Sequence, residues 1–265
     1  MLHAANQSLS HYMNTRIELI VLEVVDSTNR FAQGLLQDGV HVEEGTAILS
    51  FFQTAGKGQK GNIWESEPRS NMLASVILNP DFLEPTNLYL INQIASLSIC
   101  AILKTYSGQE FKIKWPNDIM FGEKKVAGIL IENSIRERKC TQSIVGVGIN
   151  LNQLSFGPYE PNAIALKTIT GKSIESIPEF TKEWRDVLME YFELIRNGES
   201  RRINESYSKL LFGLGVVREF EYDGTRSKGV IQGVTKEGYL VIKIDDQIRE
   251  FGIKEVKHLF NQENR

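Results

Sequence analysis

Cysteine and histidine are scarce in this chain. Its 265 residues include two cysteines, Cys100 and Cys140, and four histidines. Two isolated cysteines give neither a disulfide framework nor a zinc spacing. His3, His11, His41 and His258 are scattered and make no ligand cluster in the sequence. The same scarcity argues against hydrolysis through a Ser-His or Cys-His pair. A strong charge of either sign is missing too. The net charge is −3, which provides no bulk attraction to nucleic acid or to an anionic membrane. No apolar run reads as long enough to span a bilayer, and Met1 to Thr15 is polar, without the apolar segment of a signal peptide. A cytoplasmic protein outside the membrane is expected. The absence of Gly-x-x-x-x-Gly-Lys-Ser/Thr removes a P-loop phosphotransferase.

What is present begins with Gln53-Thr-Ala-Gly-Lys-Gly-Gln-Lys-Gly-Asn-Ile-Trp64, a glycine- and lysine-rich loop between the apolar runs Thr46 to Phe52 and Met72 to Asn79. Glycines let backbone N–H groups approach an anion, and Lys57 and Lys60 add charge. The loop therefore reads as an anion cradle or as a solvated hairpin, with the rest of the chain left to decide.

Ile17 to Val25 reads as a strand, followed by Asp26-Ser27-Thr28-Asn29 and a helical pattern through Leu36. The four polar residues suit a helix N-cap, and also a small polar ligand beside free helix donors. Glu84-Pro85 opens a helix whose apolar face from Leu88 to Tyr106 reads as core. Phe111 to Trp115 is a strand ended by Pro116; Asn117 and Asp118 lie at its carboxyl end. Further strands are expected over Val126 to Ser134 and Thr141 to Asn150, the second carrying Gly146 and Gly148 where something must approach closely. Ser176-Ile-Pro-Glu179 has capping-box spacing before a long amphipathic helix, and a second helix runs from about Ser200 to Phe212. From Gly215 onward short strands alternate with turns, which predicts a five-stranded SH3-like barrel. The expected division is an extension over 1–16, a catalytic domain over 17–213 and the barrel over 214–265. The barrel carries nine Lys plus Arg and nine Asp plus Glu, which weakens a nucleic-acid role for it.

Four features point into one site: Asp26 to Asn29, the glycine-lysine loop, Lys114 to Asp118, and Lys125 to Gly128, with Asn150 as a fifth. The set is rich in lysine and amide, which suits chemistry between two anions. Two unit negative charges about 4 Å apart repel by roughly 4 kcal/mol at an effective dielectric near 20. Lys57, Lys114 and Lys125 can offset that repulsion. Asp118 can hold Mg²⁺ or orient a nucleophile.

Asp-Ser-Thr-Asn, the glycine-lysine loop with Trp64, Lys-Trp-Pro-Asn-Asp-Ile, Lys-Val-Ala-Gly-Ile-Leu-Ile-Glu and Val-Gly-Ile-Asn-Leu-Asn occur in this order in a chain that resembles the biotin protein ligases. The resemblance implies an α+β fold: a mixed sheet with helices on one side, of the class II synthetase-like biotin/lipoate ligase type, followed by the SH3-like barrel. It implies activation of biotin with ATP and Mg²⁺ as biotinyl-5′-AMP, then transfer to a lysine of a biotin carboxyl carrier protein. It assigns Ser27, Thr28, Asn29, Gln53, Gly56, Lys57, Gly58, Gln59, Lys125 and Gly128 to biotin, and Lys57, Lys60, Trp64, Lys114, Asn117, Lys125 and Asn150 to ATP and the adenylate. Lys125, Lys57 and Asp118 fall in catalytic positions, with Asp118 open between metal ligand, contact to the substrate lysine and scaffold.

Two departures carry expectations. The family loop commonly reads Gly-Arg-Gly-Arg-Arg-Gly-Arg, whereas Lys57, Gln59, Lys60 and Asn62 stand at the arginine positions here. Lysine loses the bidentate fork, and Gln59 and Asn62 lose the charge, so weaker retention of the adenylate is expected. Only about fifteen residues precede the first strand, so no DNA-binding domain and no repressor role are expected. Sheet edges leave a homodimer open. Lipoate transfer is the nearest alternative, set aside for want of an Arg-Arg-x-x-Gly-Gly-Gly loop.

Overall fold

The computed structural model describes residues 18–157 and 162–259, without the side chain of Lys60; the expected extension over 1–16 lies outside the described residues. Seven strands form the main sheet: β1 (Leu19–Leu22), β2 (Ala47–Ser50), β3 (Met72–Leu78), β4 (Lys112–Lys114), β5 (Asp118–Phe121), β6 (Lys124–Arg136) and β7 (Lys139–Ile149). Their order is β1-β2-β3-β7-β6-β5-β4. β1 and β2 pair in parallel and the remaining neighbours are antiparallel. β3 is buried along its whole length, as expected of a central strand covered on both faces.

The helices are α1 (Thr28–Gln37), α2 (Tyr89–Ser107), α3 (Leu166–Thr170), α4 (Ile177–Arg196) and α5 (Ser200–Leu210). α2 and α4 cover one face through Ala47, Leu49, Ala74, Val76, Val145 and Val147. Strand alternation sends Ile48, Ile77 and Ile144 to the other face, where α1 packs through Ala32. The single-sided helix layer is thus correct for all but α1. Ser176 caps α4 as its spacing predicts, with Oγ accepting the Glu179 N–H at 3.3 Å. Trp184 of α4 donates its indole N–H to Ser98 of α2 at 3.1 Å.

Pro85 opens a 3₁₀ turn (Pro85–Asn87) that leads into α2. One expectation is corrected here: Pro85–Ser107 is long and apolar enough to cross a membrane. It is a core helix, packed between the sheet and α4 and α5, and burial on several sides makes it apolar almost all round.

Residues after 216 form a second, antiparallel sheet of β8 (Val217–Tyr222), β9 (Thr225–Val234), β10 (Leu240–Ile244), β11 (Gln247–Phe251) and β12 (Lys257–Leu259), in the order β11-β10-β9-β8-β12. Its Phe220, Ile231, Leu240, Ile242 and Ile244 belong to the same hydrophobic core as the main sheet. Trp115 donates its indole N–H to the carbonyl of Gly238 at 3.0 Å. Gly238 has a φ of +97° and lies so close to Tyr89 that a Cβ there would strike the ring. The second sheet therefore docks on the start of α2 and on the β4–β5 turn.

Candidate active site

β5 is a strand that sequence reasoning missed. Lys112, Ile113 and Lys114 pair with Met120, Ile119 and Asp118, so Asp118 stands opposite Lys114 and is no loop residue. Pairing continues from Asp118 to Gly128, from Gly128 to Gly148 and from Gly148 to Leu73. These residues form one row across the sheet. A second row runs through Leu130, Gly146 and Ser75. The rows are two residues apart along the strands, roughly 7 Å. Both face the α1 side.

The first row is electrostatic. Asp118 sits between two lysines, with Lys125 Nζ 3.1 Å from Oδ1 and Lys114 Nζ 3.5 Å from Oδ2. Lys125 reaches this face because of a register shift: Ile119 pairs with Ala127 and Met120 with Lys125, leaving Val126 as an extra residue. Such a bulge re-aims the next side chain, here from the helix-covered face to the cavity. Trp64 lies over the same row, with the Lys125 ammonium 5.2 Å from its ring centroid. A Cβ on Gly128 would come within 2.8 Å of that ring, and one on Gly148 would collide with it. The Trp64 Nε1 is buried with no hydrogen-bond partner among the described residues.

The second row is a network of neutral polar groups. Asn29 rests on Gly146, where a Cβ would overlap its carboxamide. Its Nδ2 donates to the Leu130 carbonyl at 3.2 Å and to Glu132 at 2.7 Å. The Ser75 hydroxyl is 2.7 Å from Thr28 Oγ1 and 2.6 Å from Asn29 Oδ1. Gln53 Oε1 accepts from the Thr28 N–H at 2.7 Å. Ser27 occupies the N-cap position of α1, yet its side chain makes no capping bond. The cap reading of Asp26 to Asn29 is therefore corrected: Asp26 takes the Ser27 N–H at 2.6 Å, and Thr28 and Asn29 are turned into the network. The strand glycines make room for two side chains, Asn29 and Trp64, where a neighbouring backbone or a ligand was expected.

The loop returns on itself. The Trp64 N–H donates to the Gly56 carbonyl at 3.0 Å, Gly58 donates to the Asn62 carbonyl at 2.7 Å, and Gln59–Gly61 forms a 3₁₀ turn. A Cβ on Gly56 would lie 2.5 Å from the Trp64 carbonyl oxygen, so glycine is needed for the chain crossing there.

These parts enclose a cavity of about 600 Å³. Ser27, Thr28, Asn29, Gln53, Lys57, Gly58, Gln59, Trp64, Lys114, Asn117, Asp118, Lys125 and Gly128, all singled out from the sequence, are brought together in its lining. Three predicted residues are placed differently. Gly56 is buried in the loop hairpin and supports the wall from behind. Asn150 lines a separate pocket of about 20 Å³ on the far side of Trp64 and Lys125, with Gln153 and Phe156. Lys60's side chain lies outside the described residues.

The rest of the lining comes from the second sheet and the segments beside it, and was missed. Phe212, Phe220, Ile253, Lys254, Lys257 and His258 line it. His258 stacks on Phe220 at 5.0 Å. Burial, then the charges of Arg218 and Lys114, push its pKa down to about 4. The even charge count of the C-terminal segment concealed that two of its lysines face inward. Ser75, a polar residue inside an apolar run, is the member of the polar network that sequence reasoning missed.

Five lysines and one carboxylate, Asp118, thus line the cavity among the described residues. Both oxygens of that carboxylate face ammonium groups, and among the described residues no three of His, Cys, Asp and Glu converge as a metal would need. This donor set does not fit a Mg²⁺ ion held by the protein alone.

The family model described as Biotin/lipoate A/B protein ligase family matches residues 21–150. The bifunctional ligase/repressor BirA of Bacillus spizizenii is 31% identical over 244 residues, covering 88% of this chain and 71% of that protein. The chain belongs to the biotin protein ligase family. The biotin--[acetyl-CoA-carboxylase] ligase of Paracoccus denitrificans, another relative of this family, is 28% identical, with 84% of this chain and 93% of that one covered. The biotin protein ligase from Aquifex aeolicus in complex with biotin and ATP superposes with a TM-score of 0.77 at 27% identity, covering 92% of this chain and 99% of that one. That match extends the family's architecture over the second sheet as well as the first.

Proposed function

We propose that this ligase-family chain activates biotin with ATP as biotinyl-5′-AMP and passes the biotinyl group to one lysine of a carboxyl carrier protein. The observation that carries the reading is the pair of adjacent rows in one cavity. The Ser75–Thr28–Asn29–Gln53 network offers oriented donors and acceptors to a neutral ureido ring, and the Lys125–Asp118–Lys114 chain lies one step away along the sheet. A head group held at the polar network delivers its carboxylate to the electrostatic row.

There the carboxylate attacks the α-phosphorus of ATP and pyrophosphate leaves. Lys125 and Lys57 offset the charge of the two approaching anions, a repulsion of roughly 4 kcal/mol at about 4 Å. Asp118 holds Lys125 and Lys114 in place and keeps their charge local. The carrier lysine then attacks the mixed anhydride, its carbonyl accepts the amine, and AMP departs. Trp64 and the loop cover the intermediate and exclude water. Mg²⁺ would accompany the ATP phosphates and neutralise part of their charge.

The carrier is proposed to be a biotin carboxyl carrier domain, and the reaction to take place in the cytoplasm, where the buried thiols of Cys100 and Cys140 would stay reduced. A net charge of −3 does not favour a DNA duplex, so no operator binding is proposed; a specific gel shift would reverse that. Incubation with biotin, ATP-Mg and a carboxyl carrier domain, followed by mass spectrometry of the carrier lysine, tests the main reading. Biotinylation of one lysine is expected, and preferential transfer of lipoate in a parallel reaction would overturn it.

A further inference from the structure

We propose that Asn71 and Gln153 are positioning residues: they latch the far stem of the glycine-lysine loop, hold Trp64 over the row of Asp118 and Lys125, and so set how long the acyl-adenylate stays bound. This rests on the ligase reading and adds to it two residues that belong to neither row.

Asn71 has no exposed surface and Gln153 only 5%. Both ends of the Asn71 carboxamide are engaged. Its Oδ1 accepts the Leu151 N–H at 2.9 Å, and its Nδ2 donates to Gln153 Oε1 at 2.6 Å and to Ser66 Oγ at 3.0 Å. Gln153 Oε1 accepts the Glu67 N–H as well, at 3.0 Å, and its Nε2 donates to the Ser155 carbonyl at 2.6 Å. Turning either amide over would set donor against donor or acceptor against acceptor, so the pair admits one arrangement. Three remote segments meet through it: the stem after Trp64, the residue before β3 and the stretch after β7. The first and last of these touch again where Glu65 lies against Gly157, and where the Asn152 N–H donates to the Ser70 carbonyl at 2.8 Å.

The loop needs such a fastening at this end. Its near stem is held by the backbone, with Thr54 and Ala55 donating to the carbonyls of Val25 and Asp26 at 2.9 Å. The Trp64 N–H is spent inside the loop, on Gly56, and ties it to nothing else. The latch takes hold just past it, at Ser66 and Glu67. Gln153 also lines the small pocket behind Trp64, together with Asn150. The ring is thereby registered between the row in front and this pocket behind. Gln59 and Asn62 give the loop no charge with which to grip an anionic intermediate, so closure depends on its stems. Opening the far one strips partners from buried amides, which is costly.

Two measurements on the full chain test the latch. The first uses no ligand and times trypsin cleavage after Lys57 and Lys60. Gln153→Leu leaves the Asn71 and Glu67 donors unpaired and should be cut about 10-fold faster than wild type. Ser66→Ala removes one contact from the half-buried loop side and should be cut about 3-fold faster. In the second, enzyme loaded with labelled biotinyl-5′-AMP is chased with unlabelled biotin. Release should accelerate in the same order, with KM for biotin in pyrophosphate exchange left near the wild-type value. The double variant should release no faster than Gln153→Leu alone, because both changes open one latch. Unchanged cleavage of the loop in both single variants overturns the proposal. So do additive effects on release, and so does an equal rise in KM for biotin, which would mark general loosening. If Gln153→Leu does not fold, Ser66→Ala decides alone. A wild-type chain that forms no adenylate refutes the ligase reading, and the ligand-free cleavage keeps that failure distinct from failure of the latch.

Discussion

At the scale of single residues, the site is defined by what glycine leaves out. Gly146 and Gly148 make room for Asn29 and for Trp64. A methyl group on Gly148 must push the Trp64 ring off the sheet. The Gly148→Ala variant is expected to lose at least about 10-fold in kcat/KM for biotin activation with little change in thermal stability; steady-state kinetics beside a melting curve would check this. Ser75 acts through its neighbours as a positioning residue. Ser75→Ala should raise KM for biotin by roughly 5- to 30-fold, equivalent to about 1–2 kcal/mol, leave KM for ATP alone, and recover with Ser75→Thr if the methyl is tolerated. His258 provides a pH test. Its folded pKa of about 4 is below the unfolded value near 6.5, so the unfolded chain binds the extra proton. Its contribution is full above the unfolded value and is lost as pH falls from about 6.5 toward 4. Urea titrations at pH 7 and pH 5 should show a smaller loss of stability for His258→Gln than for wild type. The sequence revealed that something approached the strand glycines. It did not reveal what, because Trp64 is remote in the chain and only strand pairing places it there.

At the scale of elements, strands with a period of two and a capped amphipathic helix were readable, and most of the site's loops with them. Two short strands were not. Pro116 reads as a stop, and Asp118-Ile-Met-Phe121 is too brief to display alternation before its turn, so β5 passed for a loop. β12 spans only Lys257–Leu259 and has no pattern of its own. The bulge at Val126 has no sequence signature at all, yet it decides which face Lys125 occupies. Removing Val126 should restore regular pairing, and because Lys125 then adjoins Ala127 it keeps its place opposite Met120 on the Asp118 face. Biotin-dependent exchange is expected to persist, while the melting temperature falls because the buried Val126 side chain is lost from the core. The loop allows a test in the other direction. Gln59 lines the cavity without charge, so Gln59→Arg should slow the release of biotinyl-5′-AMP, measured by chasing the loaded enzyme with unlabelled biotin. Equal release rates would sink the idea that the neutral loop positions loosen retention.

For the whole molecule, the cavity has two walls, and neither is complete alone. One hydrophobic core runs through both sheets, and the Trp115–Gly238 bond and the Tyr89 contact pin the second to the first. Composition gave a neutral C-terminal segment and so pointed away from a role in binding. The inward lysines were invisible because a count averages over faces. Gly238→Ala places a Cβ against Tyr89 at a φ of +97°, and it should loosen the dock. A loss of about 1–3 kcal/mol is expected, seen as a fall of several degrees in melting temperature, with KM for ATP rising more than KM for biotin.

The three tryptophans of the chain happen to sit one at each of these scales. Trp64 rests in the cavity against Lys125, Trp115 ties the two sheets together, and Trp184 is fully enclosed between α4 and α2. Replacing them in pairs with phenylalanine leaves a single indole whose emission reports one event: closure of the loop, separation of the sheets, or melting of the core. The protein thus carries its own set of optical probes, and the order in which these three events follow substrate addition or denaturant can be read without attaching a dye.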